Sequence, residues 1–159
     1  MKNSNMDTVI NKPSSAYLMA SVVTLLIGIS GFLLGLWNAE LLLSEKGFYL
    51  AVFLLALFSA IALQKTVRDV EEGIDVTKIF MMICWGAFFA AIGLLVIGLF
   101  NAEMILSEKG FYGMSFVVSL FAVITVQKNT RDVALSGDTN IDSEKAFNKS
   151  LEKEVSLDS

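Results

Sequence analysis

The chain has 159 residues, 55% hydrophobic and only 18% charged, with a single cysteine and no histidine. A soluble domain is about 45–50% apolar and about 25% charged, so the composition argues against an ordinary soluble fold. The net charge of −4, much of it in the C-terminal tail, offers no basic face for nucleic acid, and the missing histidine removes the commonest general base and a frequent metal ligand.

Residues 1–15 are polar and carry the only proline, Pro13, which with Ser14 marks the start of a helix. Four nearly charge-free stretches follow, at 16–37, 48–63, 79–100 and 111–126. A membrane-spanning helix needs about 20 mostly apolar residues, within about 17–25. The first and third stretches meet that directly, whereas the second and fourth are short. The first is too long for a signal-peptide core and lacks a following A-x-A-like site, so it reads as a retained span. Cys84 lies inside the third stretch and reads as a small packing residue. The chain divides into a polar N-terminus (1–15), a first two-helix unit (16–70), a charged linker (71–78), a second unit (79–133) and a polar tail (134–159). In that tail Phe147, Leu151 and Val155 share a helical face, so a short amphipathic helix and disorder both fit.

An internal repeat organises all of this. GLWNAELLLSEKGFY at 35–49 returns as GLFNAEMILSEKGFY at 98–112. Without a gap, Gln64-Lys65 returns as Gln127-Lys128, and Arg68-Asp69-Val70 as Arg131-Asp132-Val133. The fold class expected is an all-α membrane protein, four transmembrane helices from two tandem two-helix repeats. With two spans per unit, both copies enter the membrane from the same side, so the repeats are parallel rather than inverted. Near the span ends, Lys2, Lys12, Lys65, Arg68, Lys78, Lys128 and Arg131 fall on the side of the termini, and only Lys46 and Lys109 on the other. By the positive-inside rule both termini are cytoplasmic and the Asn-Ala-Glu links external. Lys65, Arg68, Lys128 and Arg131 then anchor the cytoplasmic helix ends by snorkelling and by favourable interaction with the helix C-terminal dipole.

The duplicated link reads as helix-start chemistry. Ser44 and Ser107 are candidate N-caps, with Glu45 and Glu108 in the first turn. Leu43 and Phe48 stand at the spacing of a hydrophobic staple. A helix over 45–64 then has 20 residues, which at about 1.5 Å per residue spans the hydrocarbon core. Phe48, Tyr49, Phe111 and Tyr112 fall beside Trp37 and Phe100 as an aromatic belt. Glu40 and Glu103 fit this picture least, since a free carboxylate near the interface carries a desolvation cost. They pair with Lys46 and Lys109, or cap backbone groups, or join Asn38 and Asn101 in one polar site at the pseudo-twofold axis. The candidate outer site is therefore Asn38, Glu40, Lys46, Asn101, Glu103 and Lys109.

Small residues at four-residue spacing supply contact seams: Gly31 with Gly35, Ala56 with Ala60, Gly86 with Ala90, Ser115 with Ser119. They serve packing within the chain or oligomerisation.

The Asn-Ala-Glu, Ser-Glu-Lys-Gly-Phe-Tyr and Gln-Lys-x-x-Arg-Asp elements, recurring at fixed spacing, resemble the YiaA/YiaB family of bacterial inner-membrane proteins, with the two-helix domain doubled. The resemblance covers roughly residues 16–133. It implies a multi-pass protein of the bacterial inner membrane of uncharacterised function, and it carries over no catalytic or ligand residues. Three function classes remain. The first is a structural or interaction protein of the bilayer, linked to envelope or stress physiology and partnered by copies of itself or by other membrane proteins. The second is a small-solute channel or transporter using the polar links, or a passive pore lined by Ser21, Thr24, Ser59, Ser115 and Ser119. No ionisable residue or proline interrupts the spans, which weakens this class. The third is an enzyme, for which no nucleophile–base pair, metal spacing, phosphate loop or cofactor motif is found.

Overall fold

The computed structural model describes residues 13–157, with side chains through Gly137. Among them the chain forms α1 (Ser15–Asn38), α2 (Leu43–Glu71), α3 (Lys78–Asn101) and α4 (Leu106–Leu157). Ser14 opens α1, its hydroxyl accepting from the amide of Tyr17 at 3.3 Å, which satisfies one of the orphan N–H groups of the first turn. All four helices are long and apolar enough to cross a membrane. The two short apolar stretches are the middles of longer helices. At about 1.5 Å per residue, α2 with its 29 residues spans the hydrocarbon core and still projects its charged last turns beyond it.

The helices differ in where they stop, and the reason is local. Gly73 takes a positive φ of 76°, its amide donates to Val70 O, and the Ile74 amide reaches back to Asp69 O at 2.8 Å. That is the paired-bond C-terminal cap in which glycine accepts the left-handed position without steric penalty. The second repeat has Ser136 at the equivalent place, its hydroxyl donating to Asp132 O within a continuing helix. Hence α2 ends while α4 runs on to Leu157, and the tail expected to be either a separate helix or disordered continues α4 along its backbone. The side chains of Phe147, Leu151 and Val155 lie outside the described residues. Replacing Gly73 with alanine should cost about 1–2 kcal/mol through the left-handed penalty, read as a lowered midpoint of thermal unfolding in detergent.

The packing order does not follow the chain. α1 packs along α4, α3 along α2, and α2 meets α4 in the middle, while the backbones of α1 and α2 in the first hairpin come close at few points. Each repeat therefore lends its first helix to the second helix of the other. Cross-contacts give the directions. The start of α1 meets the far part of α4 through Ser21 and Asn129, and the end of α1 meets the start of α4 through Gly35 and Tyr112, so these helices are antiparallel. Tyr49 faces Tyr112 with ring centroids 6.3 Å apart, and Phe53 faces Phe116 at 6.1 Å. Both pairs join equivalent residues of the two copies, so α2 and α4 run parallel across a pseudo-twofold axis. The repeats are parallel, as their even span count requires.

Phe32 locks the centre. It is fully buried, stacks on Phe53 at 4.1 Å and meets Tyr112 edge-on. Close approach to α4 is permitted by glycine: a Cβ on Gly28 would lie 2.5 Å from Ser119 Oγ and one on Gly35 2.8 Å from the Phe111 ring. Gly98 plays the same part against Phe48 and Tyr49. Where α1 and α2 part, an apolar cleft of about 530 Å³ opens between Trp37 and Leu50. α1 and α3 stand on the flanks and leave most of their apolar surface exposed, as helices solvated by lipid tails do.

Candidate functional site

Polar chemistry gathers at the two ends of the bundle, the link end (38–43 and 101–106) and the end bearing the termini.

At the link end the repeated motif caps helices. The Asn38 amide donates to Leu34 O and the Asn101 amide to Ile97 O, both at 2.8 Å. Lys46 Nζ reaches back to Trp37 O at 2.9 Å, and Lys109 Nζ to Phe100 O at 3.3 Å. Trp37 O and Phe100 O are among the carbonyls that the last turns of α1 and α3 leave without an intrahelical partner, and the lysine charge meets the negative end of the helix dipole. Each asparagine amide adds a second donor to a carbonyl one turn back. The following helices are capped by their glutamates. Glu45 Oε2 accepts from the Leu42 amide at 2.8 Å, and Glu108 Oε2 from the Ile105 amide at 3.2 Å.

This corrects the expected caps. α2 starts at Leu43 and α4 at Leu106, so Ser44 and Ser107 sit inside the first turn and are exposed. Glutamate has the reach to bind the amide three residues back, so the helix begins earlier than a serine cap would set it. The expected staple does not form either: Leu43 is 87% exposed, and Leu41 is the residue that packs against the core.

Nor does the link end form one polar site at the axis. Tyr49 and Tyr112 occupy that place, and Asn38 and Asn101 lie apart in two cavities of about 290 Å³ each. One combines Gly35 and Asn38 with Ser107, Glu108 and Tyr112; the other combines Gly98 and Asn101 with Ser44, Glu45 and Tyr49. Every lining residue has its counterpart in the other copy, and each cavity takes one wall from each repeat. Glu40 and Glu103 line neither and are exposed, and among the described residues no ion pair joins them to Lys46 or Lys109. The carboxylates that matter at this end are Glu45 and Glu108. Glu45→Ala with Glu108→Ala should cost about 1 kcal/mol per copy in stability, the usual size of a lost helix-start interaction. Glu40→Gln with Glu103→Gln should leave the unfolding midpoint unchanged.

At the end bearing the termini, Lys65 pairs with Asp69 at 2.6 Å. Arg131 of the second repeat binds Glu72 of the first, which also faces Arg68 Nε at 3.6 Å. Lys65, Arg68, Lys128 and Arg131 are thus all at this end, and Glu72 joins two of them across the repeats. Below them, Asn129 donates to Ser21 Oγ at 3.1 Å and Thr66 lies 3.7 Å from Cys84 Sγ. These are equivalent contacts in the two seams with different chemistry, and Cys84 is buried between helices as expected. Glu72 and Asn129 stand where the repeats differ, opposite Leu135 and Thr66, so the repeated signature does not mark them.

The hydroxyls that could have lined a pore are spent on packing. Ser21, Thr24, Ser59 and Ser119 each donate to a carbonyl of their own helix, and Ser115 is buried in the α1–α4 seam beside Gly31. Of the small-residue seams, those of Ala56 with Ala60 and Ser115 with Ser119 are buried inside the chain, whereas Gly86 and Ala90 are exposed on α3.

Comparison with known proteins adds the family. The model of the yiaA/B two helix domain matches twice, at residues 17–69 and 80–132. The inner membrane protein YiaA of Escherichia coli is 51% identical over 131 residues, covering 82% of this chain and 90% of that protein. The inner membrane protein YiaB of the same organism is 35% identical over 60% of this chain and 80% of its own length. An uncharacterized membrane protein of Bacillus subtilis, YubF, is 36% identical over 46% of this chain and 86% of its own length. No solved structure matches the chain.

Proposed function

The chain belongs to the yiaA/B two-helix domain family of membrane proteins, and from that premise we propose a structural or interaction role in the bacterial inner membrane rather than solute passage. The observation that carries this is the filled axis. Where a symmetric two-repeat carrier would place its route, Tyr49, Phe53, Phe116 and Tyr112 meet ring to ring, with Phe32 wedged against them. Asn38, Lys46, Glu45 and their counterparts in the second repeat bond to backbone at the helix ends, so these groups of the link motif tie helix ends together. The names of its relatives place those proteins in the inner membrane, and this chain is assigned there by likeness, working as a rigid four-span body against copies of itself or other membrane proteins. The excess of lysine and arginine at the terminal end puts both termini in the cytoplasm.

Three measurements test the reading. The purified protein in liposomes should release no trapped ions or small neutral solutes above empty vesicles; measurable flux would sink it. Cross-linking in cells from a photoreactive residue at position 44 should capture a discrete protein partner or a second copy. Reporter fusions after Ser44 and Ser159 should read external and cytoplasmic respectively, and the opposite pattern would reverse the orientation.

A further inference from the structure

The cavity at the terminal end differs from the paired cavities of the link end. It measures about 470 Å³ and opens between α2, α3 and α4. Its floor is hydrocarbon, built from Ala60, Leu63 and Ile124, with Trp85 and Phe88 forming the α3 wall. Its rim carries Arg68, Lys128 and Arg131 with Glu71 and Asp132, and Glu72 beside them pairs with Arg68 as well as Arg131. Among the described residues Lys128 has no ion pair, and Arg68 Nε is buried without a hydrogen bond. Gln64, which also lines the cavity, buries its Oε1 without a donor, as Gln127 does at the equivalent place in the second repeat.

Arg68 on α2 and Lys128 on α4 thus bring two cations to the cavity from two walls above an apolar floor, and among the described residues no carboxylate is paired with Lys128. We infer that this cavity holds an anionic phospholipid: its phosphate lies against Lys128 and the Arg68 guanidinium, and an acyl chain covers the floor beside Trp85. Basic pockets between membrane helices take anionic headgroups on the same physical grounds. The second repeat explains why there is one such site. At the mirror position Trp85 and Phe88 are replaced by Val22 and Leu25, and Glu71 by Ala134, so neither the aromatic wall nor the same rim is rebuilt.

The test uses the full chain in a non-ionic detergent, with bound lipid counted by native mass spectrometry after mixing with phosphatidylglycerol or phosphatidylethanolamine of identical chains. Wild type should retain one phosphatidylglycerol several-fold more strongly than phosphatidylethanolamine. Lys128→Gln, at an exposed site, should lower that retention about fivefold, the usual effect of one cation beside an anionic headgroup. Lys65→Gln, the equivalent change in the first repeat, should leave it unaltered. Equal retention of the two lipids, equal loss in the two lysine variants, or displacement of the lipid by millimolar inorganic phosphate would each overturn the inference. Arg68→Gln should remove the preference as well; because it also loosens the Glu72 contact, the Lys128 variant decides.

Discussion

Gly28→Leu should separate α1 from α4 and leave a protein that unfolds in mild detergent well below the wild-type temperature. Even the first added carbon has nowhere to go. It would meet Ser119 Oγ at 2.5 Å and the Ser119 backbone nitrogen at 3.1 Å. The hydroxyl is held by its bond to Ser115 O at 2.7 Å, and helix backbone does not yield locally. Overpacking a filled interior costs about 1–3 kcal/mol, and a leucine at a helix crossing belongs at the top of that range. Cys84 shows how far the damage spreads: it is the only cysteine and is buried in the α2–α3 seam, so its rate of thiol labelling rises only when loss of the α1–α4 contact opens the rest of the bundle. Gly86→Leu is the matched control, since nothing lies within 4 Å of a Cβ there, and it should shift stability by less than about 0.5 kcal/mol. The milder Gly28→Ala should be partly rescued by Ser119→Ala, which removes the nearest clash and leaves the backbone contact. A coupling of about 1 kcal/mol between adjacent sites is expected in that cycle. Additive effects would mean that α1 does not lie against Ser119.

The same glycine marks the boundary of what the sequence could tell. Spans, repeat and parallel orientation were legible because each rests on local or self-referential signals: uninterrupted apolar runs, identity between 35–49 and 98–112, and an even number of crossings. Helix pairing was not. In a bilayer lipid tails compete for every apolar face, so partner choice rests on fine shape. The relevant shapes, Gly28 against Ser119 and Gly35 against Phe111, are written more than 70 residues apart. The hairpin that the chain order invites is a pairing in which the two backbones come close at few points. At the link motif the residues were found but several roles were not. Ser44 and Glu45 both suit a helix start, and only geometry shows that the carboxylate reaches the Leu42 amide. Charge alone makes Glu40 one candidate partner for Lys46, yet the lysine bonds to a carbonyl nine residues back. The likeness of Asn38-Ala39 to Asn101-Ala102 follows from a shared task at the ends of α1 and α3. Glu40 and Glu103 have no such task, and nothing in the structure explains their retention.

The second large effect belongs to the axis. Phe53→Ala should be the most disruptive single truncation, because that ring is 1% exposed, stacks on Phe32 and faces Phe116. In a soluble core such a change costs about 3–5 kcal/mol. Here the transfer part of that cost is reduced, since the unfolded alternative in a bilayer is also surrounded by hydrocarbon, and the loss is mainly of dispersion contacts around a void. About half the soluble value is therefore expected, against less than about 0.5 kcal/mol for Phe58→Ala on the exposed face of the same helix. Combining Phe53→Ala with Phe116→Ala should cost less than the sum, because each ring loses a partner already removed. That double variant also sharpens the functional question. If the rings are what bars passage along the axis, truncating both without unfolding the protein should produce a leak in liposomes that the wild type lacks. If it stays folded and tight, the seal lies in the helix packing as a whole, with Gly28, Gly35 and Gly98 holding the helices too close for water to enter even when the rings are gone.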